Sequence, residues 1–239
     1  MMTQEIISAL LEKEKYDLSD LRAVMRVLRS EEGCPWDREQ DHHSIRSSLI
    51  EEAYEVIEAI DNEDPVLLRE ELGDLLFQIV FHAELEEETD RFSMDEVIHD
   101  ITFKMIHRHP HVFGCVKVKD SSEVLSNWES IKTEEKQRNT LAERLRAIPP
   151  MLPALMRASK VSKKAGLDEG MDRNAVVAEI EERIRGLDTS KGDREALQKQ
   201  AGELLFSAVK LCRVLDVDAE YALHLATEDA ILKIEGQNL

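Results

Sequence analysis

Acidic side chains are concentrated in two short stretches of this 239-residue chain, and their spacing favours a metal-binding site. The first stretch, residues 51–58, has glutamates at positions 51, 52, 55 and 58. The second stretch, residues 71–74, reads Glu-Leu-Gly-Asp. A helix turns about 100° per residue, so it places the acids of each stretch on one side. Carboxylates gathered in this way need a cation when they are buried, because bare charges away from water are costly.

The second stretch lies on a predicted helix over residues 70–85 whose circumference is mostly apolar. The remaining positions form one narrow polar stripe, which consists of Glu71, Asp74, Gln78 and His82. A helix that is apolar nearly all round is normally buried. We therefore expect this helix to be buried and its two acids to meet a cation.

Two neighbouring helices of this kind would suit one or two Mg²⁺ ions. Mg²⁺ binds a few carboxylates, keeps several waters and takes phosphate oxygens as further ligands. The expected ligands are Glu52, Glu55, Glu71 and Asp74. Mn²⁺ prefers similar oxygen ligands and is the expected substitute. Glu51 and Glu58 lie further towards water, where they either support the ligands or belong to a solvated helix face.

Three other residues are candidates for substrate binding. Lys104 and Arg108 are four residues apart and share a helical face. They could contact the phosphates of a metal-bound ligand, although the spacing alone favours surface ion pairs. Trp36 could stack on a base, or it could close a loop over the core.

Two other metal sites are possible from the residue types. His107, His109 and His111 invite a zinc site, but Pro110 interrupts their helical spacing and structural or capping roles fit better. A di-iron bundle uses glutamates and Glu-x-x-His sets. Two pairs have that spacing, Glu39–His42 and Glu96–His99.

The elements that must position these residues are predicted to be helices throughout. Apolar residues make up 42% of the chain, enough for a core, while only nine Gly and six Pro interrupt it. Local signals place three helix starts: Asp41 or Ser44 before a helix ending near Asp61, Asp64-Pro65 before the next, and Ser93 with Glu96 before a helix reaching His109. A polar helix is predicted over residues 122–144.

The chain also repeats itself, which predicts two related helical units. Residues 70–77 recur as residues 199–206, and residues 51–52 recur as residues 181–182. The apolar positions persist but the acids do not: Glu55, Glu58, Glu71 and Asp74 become Arg185, Asp188, Gln200 and Glu203. We predict a catalytic unit over 1–120, a helical and proline-rich connector over 121–150, and an inactive unit over 151–239.

Charge and composition exclude several classes of protein. A net charge of −19 disfavours nucleic acid as a partner, since phosphate contacts need clustered Lys and Arg. Three scattered cysteines form no disulfide framework, which suits a reducing cytoplasm. No apolar run approaches 18 residues, so no membrane association is expected.

Six segments in this order resemble the MazG family of nucleoside triphosphate pyrophosphohydrolases. They are residues 33–40, 49–56, 71–78, 108–114, 128–132 and 152–158. The resemblance implies an all-α fold, homodimers, and Mg²⁺-dependent hydrolysis of a nucleoside triphosphate to the monophosphate and pyrophosphate. It also implies the same four carboxylates as metal ligands, with Lys104 and Arg108 on the phosphates.

The chain departs from the family pattern at a few positions. Phe103 replaces an acid that often precedes the lysine, and Thr227 and Asp229 stand near the usual Asn and Lys of the second unit. Two alternatives remain open. One is a related phosphoribosyl-ATP pyrophosphohydrolase, and the other is a non-catalytic helical module that binds a nucleotide or a protein.

Overall fold

The computed structural model describes residues 2–135, 140–187 and 194–237, and every regular element in these ranges is helical. The all-α fold class is thereby confirmed. The chain divides into two compact units, Met1–Leu125 and Ser126–Leu239. The division into residues 1–120, 121–150 and 151–239 stays a prediction. None of the described helices is both long and apolar enough to cross a membrane.

The first part of the chain forms eight helices. They are α1 (Met2–Leu11), α2 (Leu18–Arg29), α3 (Pro35–Glu39), α4 (Arg46–Asp61), α5 (Pro65–Glu87), α6 (Met94–Arg108), α7 (Pro110–Phe113) and α8 (Ser121–Glu135). The five that follow are α9 (Leu141–Arg146), α10 (Ala154–Ala165), α11 (Arg173–Arg185), α12 (Arg194–Val214) and α13 (Ala219–Gln237).

Local capping signals explain two of the predicted helix starts. Asp64 accepts hydrogen bonds from the first backbone amides of α5, and Pro65 is its first residue. Ser93 and Glu96 form a reciprocal capping box at the start of α6. Both predictions are confirmed.

The predicted cap of α4 was wrong. This helix begins after Ile45 without a side-chain cap. The Asp41 carboxylate instead accepts from the amides of His43 and Ser44, which makes a turn one step earlier in the chain. The polar helix predicted over 122–144 is also divided, because Thr140 caps a new helix at Leu141; residues 136–139 lie outside the described ranges.

The core of the first unit lies between α2, α5 and α6. Its buried members are Met25, Ile45, Val80, Phe81, Ala83, Leu85 and Met94. The α5 residues of this core all belong to the second half of that helix. α5 also pairs closely with α4.

The expectation that α5 is buried all round was therefore wrong for one face of the helix. Leu72 is 50% exposed, and Leu76 and Ile79 remain 38% and 39% exposed. A helical pattern shows which faces are apolar, but it does not show whether one chain covers them all. Apolar side chains left uncovered by their own chain indicate a surface for another one.

In the second unit, α11 pairs with α12, and α10 packs on both α12 and α13. Val176 of α11 and Val209 of α12 are fully or almost fully buried. Asp168, which follows α10, accepts a hydrogen bond from Arg213 of α12 at 2.8 Å. This ion pair fixes the end of α10 against α12.

Candidate active site

The helical hairpin of α4 and α5 brings the two acidic stretches together. Only three residues, 62–64, connect the helices, so α4 and α5 must lie side by side in opposite directions. Ala59 of α4 is completely buried in this hairpin. Acids near the end of α4 are consequently matched with acids near the start of α5.

Three of the four predicted ligands converge. One carboxylate oxygen from each of Glu52, Glu55 and Glu71 lies within 4.8 Å of the others. Asp74 is exposed on α5, and it is near enough for its charge to affect both Glu52 and Glu71. The structure thus brings three of the acids together with Asp74 nearby, while Glu51 and Glu58 are exposed on α4.

Two of the acids, Glu52 and Glu71, have raised pKa values. Burial raises the pKa of Glu52, and the negative charges of Asp74 and Glu55 raise it further. Burial likewise raises the pKa of Glu71, with Glu55 and Asp74 adding to the effect. A cation at the centre of the cluster would reverse the repulsion and hold all four groups ionised.

The donor set identifies the kind of cation that fits. It consists of carboxylate oxygens, which hard divalent ions such as Mg²⁺ prefer, without the imidazole or thiolate typical of zinc. Within residues 2–135, 140–187 and 194–237, this is the single group of three His, Cys, Asp or Glu side chains that can converge on a metal.

The other predicted site residues stand on other helices. Lys104 is exposed on α6, whereas Arg108 at the end of the same helix is only 7% exposed. The interpretation of both as a surface pair therefore fails for Arg108. Trp36 is 61% exposed on α3, so its ring is available for stacking rather than closed over the core.

The alternative metal sites gain no support. His109 bonds through Nδ1 to the carbonyl of Met105, and His107 stacks on Phe103. Glu96 belongs to the cap of α6. His42 contacts His82 and Glu86 instead of pairing with Glu39.

This last contact is one that the sequence analysis missed. His82 and Glu86 are four residues apart on α5, in line with the polar stripe of Asp74 and Gln78. The sequence therefore shows that these two side chains share one face of α5. The sequence does not show that His42 joins them, because His42 reaches α5 only when the segment between α3 and α4 folds back.

The second unit has an ion pair at the corresponding place. Arg183 of α11 donates from Nη1 to Glu203 of α12 at 2.9 Å. Gln200, which corresponds to Glu71, donates to the carbonyl of Gly186. The cation that interrupts the acids is thus Arg183, not Arg185 as predicted; Asp188 lies outside the described residues.

The Arg185 side chain is instead exposed and donates to the carbonyl of Glu181 in its own helix. The repeat correspondence of residues 51–52 with residues 181–182 stays a prediction. Arg183 of α11 is the side chain that reaches Glu203, the residue that the repeat matches with Asp74.

An all-α chain in which two paired helices present four carboxylates defines a class of helical proteins with a site for a hard divalent cation. Residues 40–113 match the family model described as the MazG nucleotide pyrophosphohydrolase domain. This range contains all four acids, Lys104 and Arg108.

Similar proteins extend the match over most of the chain. The nucleoside triphosphate pyrophosphohydrolase/pyrophosphatase MazG of Thermotoga maritima is 43% identical over 211 residues, covering 87% of this chain and 80% of that protein. A nucleoside triphosphate pyrophosphohydrolase of Escherichia coli K12 is 43% identical over 215 residues, with coverages of 87% and 82%. One from Mycobacterium tuberculosis is 36% identical over 152 residues, with coverages of 63% and 46%. The chain belongs to the MazG family of nucleoside triphosphate pyrophosphohydrolases.

Proposed function

We propose that the α4–α5 hairpin hydrolyses nucleoside triphosphates to the monophosphate and pyrophosphate with Mg²⁺ bound by Glu52, Glu55, Glu71 and Asp74. The observation that carries this proposal is the convergence of three carboxylates within 4.8 Å. The names of the similar proteins support the substrate class. These names favour a nucleoside triphosphate over phosphoribosyl-ATP as the substrate. They also favour a hydrolase over a module that only binds a nucleotide or a protein.

The chain's own groups have distinct tasks in this proposal. The four carboxylates hold the cation, and the exposed Glu51 and Glu58 orient them through water. When bound, Mg²⁺ polarises phosphate oxygens and lowers the pKa of a coordinated water. Lys104 and Arg108 offset the negative charge that develops on the phosphates. Trp36 stacks on the base.

A second copy of the chain is the proposed partner. Apolar side chains on α4 recur one helical turn apart at Ile50, Tyr54 and Ile57, each between 47% and 55% exposed. Leu72, Leu76 and Ile79 form a similar stripe on α5. Fully burying such a side chain contributes about 1.5–3 kcal/mol, so a symmetric pair of stripes can outweigh the cost of association.

The same reasoning bears on compartment and on other partners. Cys34, Cys115 and Cys212 are free thiols, which suits the reducing cytoplasm that we propose as the compartment. The net charge of −19 repels nucleic acid, and we propose no nucleic-acid or membrane partner.

Pyrophosphate release with each NTP and dNTP in Mg²⁺ tests the proposed function and reports base preference. Glu71→Gln should abolish release, because an amide cannot replace the lost anionic ligand. Gln200→Ala, at the corresponding position of α12, is the matched control and should be active. Release by Glu71→Gln at the wild-type rate would overturn the proposal.

A further inference from the structure

Three side chains join the segment between α3 and α4 to α5. Nε2 of His42 lies 2.6 Å from Oε1 of Glu86, and Nδ1 of His42 lies 2.8 Å from Nδ1 of His82. Both contacts bridge at least 40 residues of sequence. The segment that links Trp36 to the acids of α4 is thereby tied to the helix that carries Glu71 and Asp74.

The ring geometry identifies the contact between the histidines as a hydrogen bond. Their planes are within 5° of parallel and their centroids are 5.1 Å apart. The Nδ1 atoms are closer than the planes of stacked rings can be, so the rings lie edge to edge with these atoms between them. A metal would require both lone pairs to converge on a third point instead.

The hydrogen bonds fix the number of protons. A carboxylate only accepts, so His42 donates from Nε2 to Glu86. The contact between the Nδ1 atoms needs one nitrogen to donate and the other to accept. The two facing atoms therefore hold a single proton, and a second proton would set two donors against each other.

Charged groups surround the pair on each side. Glu86 also forms an ion pair with Arg91 at 2.7 Å. Arg29 of α2 donates to the carbonyls of Asp37 and Gln40, just before His42. Asp41 and His43 flank His42 and are exposed. The two cations among these neighbours are each paired with a carboxylate, Arg91 with Glu86 and Arg29 with Glu88.

His82 is the partner that resists protonation. It is partly buried, and its Nε2 is buried without a hydrogen-bond partner. Burial lowers the pKa of His82, and His42 lowers it further. The contact of residues 40–45 with α5 therefore favours the neutral form of His82.

We propose that His42 and His82 are positioning residues, whose shared proton holds residues 40–45 against α5 and thereby sets Trp36 relative to the carboxylates. Neither side chain is among the acids of the metal cluster. The effect on substrate rests on the proposed function of the α4–α5 site, but the anchoring itself does not.

Acid should weaken the anchor. A histidine whose pKa is lowered in the folded state binds fewer protons there than in an opened segment. The difference appears below about pH 6.5, the ordinary pKa of histidine. As the pH falls further, opening of the segment gains protons and becomes more favourable.

Hydrogen exchange of the amides of residues 41–45 and steady-state kinetics test the proposal together. His42→Ala should speed exchange of these amides about tenfold, the factor expected for one lost hydrogen bond, and raise KM more than it lowers kcat. His43→Ala is the matched control and should behave as wild type, because that exposed side chain takes no part in the contacts of His42 with His82 and Glu86.

A second variant separates positioning from bulk stability. Asn can bond near the position of Nδ1 but does not titrate. His82→Asn should therefore keep slow exchange and, relative to the intrinsic amide rate at each pH, should lose no protection below about pH 6.5. Unchanged exchange in His42→Ala, or protection that His82→Asn loses in acid, would overturn the proposal. Absence of hydrolase activity in the wild type would overturn the proposed function alone, because amide hydrogen exchange is measured without any substrate turnover.

Discussion

The guanidinium of Arg183 lies 2.9 Å from the carboxylate of Glu203, between α11 and α12. Arg183 also contacts Glu179, which in turn bonds to Ser207 and Lys210. The second unit therefore neutralises its acids with its own cations. In the first unit, burial and the neighbouring negative charges raise the pKa of Glu52 and Glu71, and a metal ion would relieve this repulsion.

Replacing the internal cation should create a divalent site in the second unit. The combined change Arg183→Glu with Gln200→Glu sets two new carboxylates beside Glu203, and we expect additional Mn²⁺ to bind in a Glu71→Gln background. Electron paramagnetic resonance measures the bound fraction. Arg185→Glu with Gln200→Glu has the same charge and is the control; equal Mn²⁺ binding by both would show that the position of Arg183 has no special role.

The metal-free protein should lose stability as the pH rises. Glu52 and Glu71 have raised pKa values in the folded chain, so the folded state keeps protons that the unfolded chain has released. Stability is then lost between the ordinary glutamate pKa and the raised one. Over this interval the thermal unfolding midpoint in EDTA should fall for the wild type relative to the variant Glu52→Gln with Glu71→Gln, and Mg²⁺ should restore it. The comparison removes the opposite contribution of carboxyls with lowered pKa values, such as Asp168 and Glu179. A difference between these two midpoints that is flat with pH, together with a wild-type midpoint that Mg²⁺ does not change, would contradict the site.

The exposed stripes of α4 and α5 should hold the dimer together. Ile57→Glu or Leu76→Glu places a charge on a surface that would be buried, and sedimentation equilibrium should show a monomer for either variant. Met151→Glu changes a side chain that is 86% exposed elsewhere in the chain and should leave the dimer intact. Dimers of wild-type affinity in both stripe variants would place the interface on another surface.

Lys104 and Arg108 should differ in how their loss affects the protein. Lys104→Ala removes an exposed cation, so we expect kcat/KM to fall about 10²-fold with an unchanged melting temperature. Arg108→Ala removes a side chain only 7% exposed and should lower both activity and melting temperature. Full activity in Lys104→Ala would remove that residue from the phosphate site.

Local chemistry made much of the fold predictable. The starts of α5 and α6 follow from Asp64 and Ser93, whose side chains act within three residues of themselves. The meeting of Glu52 with Glu71 follows almost as directly, since a three-residue connection forces α4 and α5 together.

Contacts made through tertiary structure were not predictable. The residue types around Asp41 predict a helix cap, but its segment is instead held by Arg29, which is 11 residues before Gln40, and by His82, which is 40 residues after His42. The partner of Glu203 could not be predicted from the repeat either, because the repeat places Arg185 at an acid position, and only the folded pair of helices shows that Arg183 reaches Glu203.

The central claim is that the carboxylates of α4 and α5 hold the divalent ion that hydrolysis requires. Titration of Mn²⁺ followed by electron paramagnetic resonance measures this binding directly, with Mg²⁺ as competitor. We expect Glu71→Gln and Asp74→Asn to weaken binding at least about tenfold, because each removes one anionic ligand. Asp61→Asn, an exposed acid at the end of the same hairpin, should bind like the wild type. Unchanged Mn²⁺ binding in both Glu71→Gln and Asp74→Asn would contradict the account.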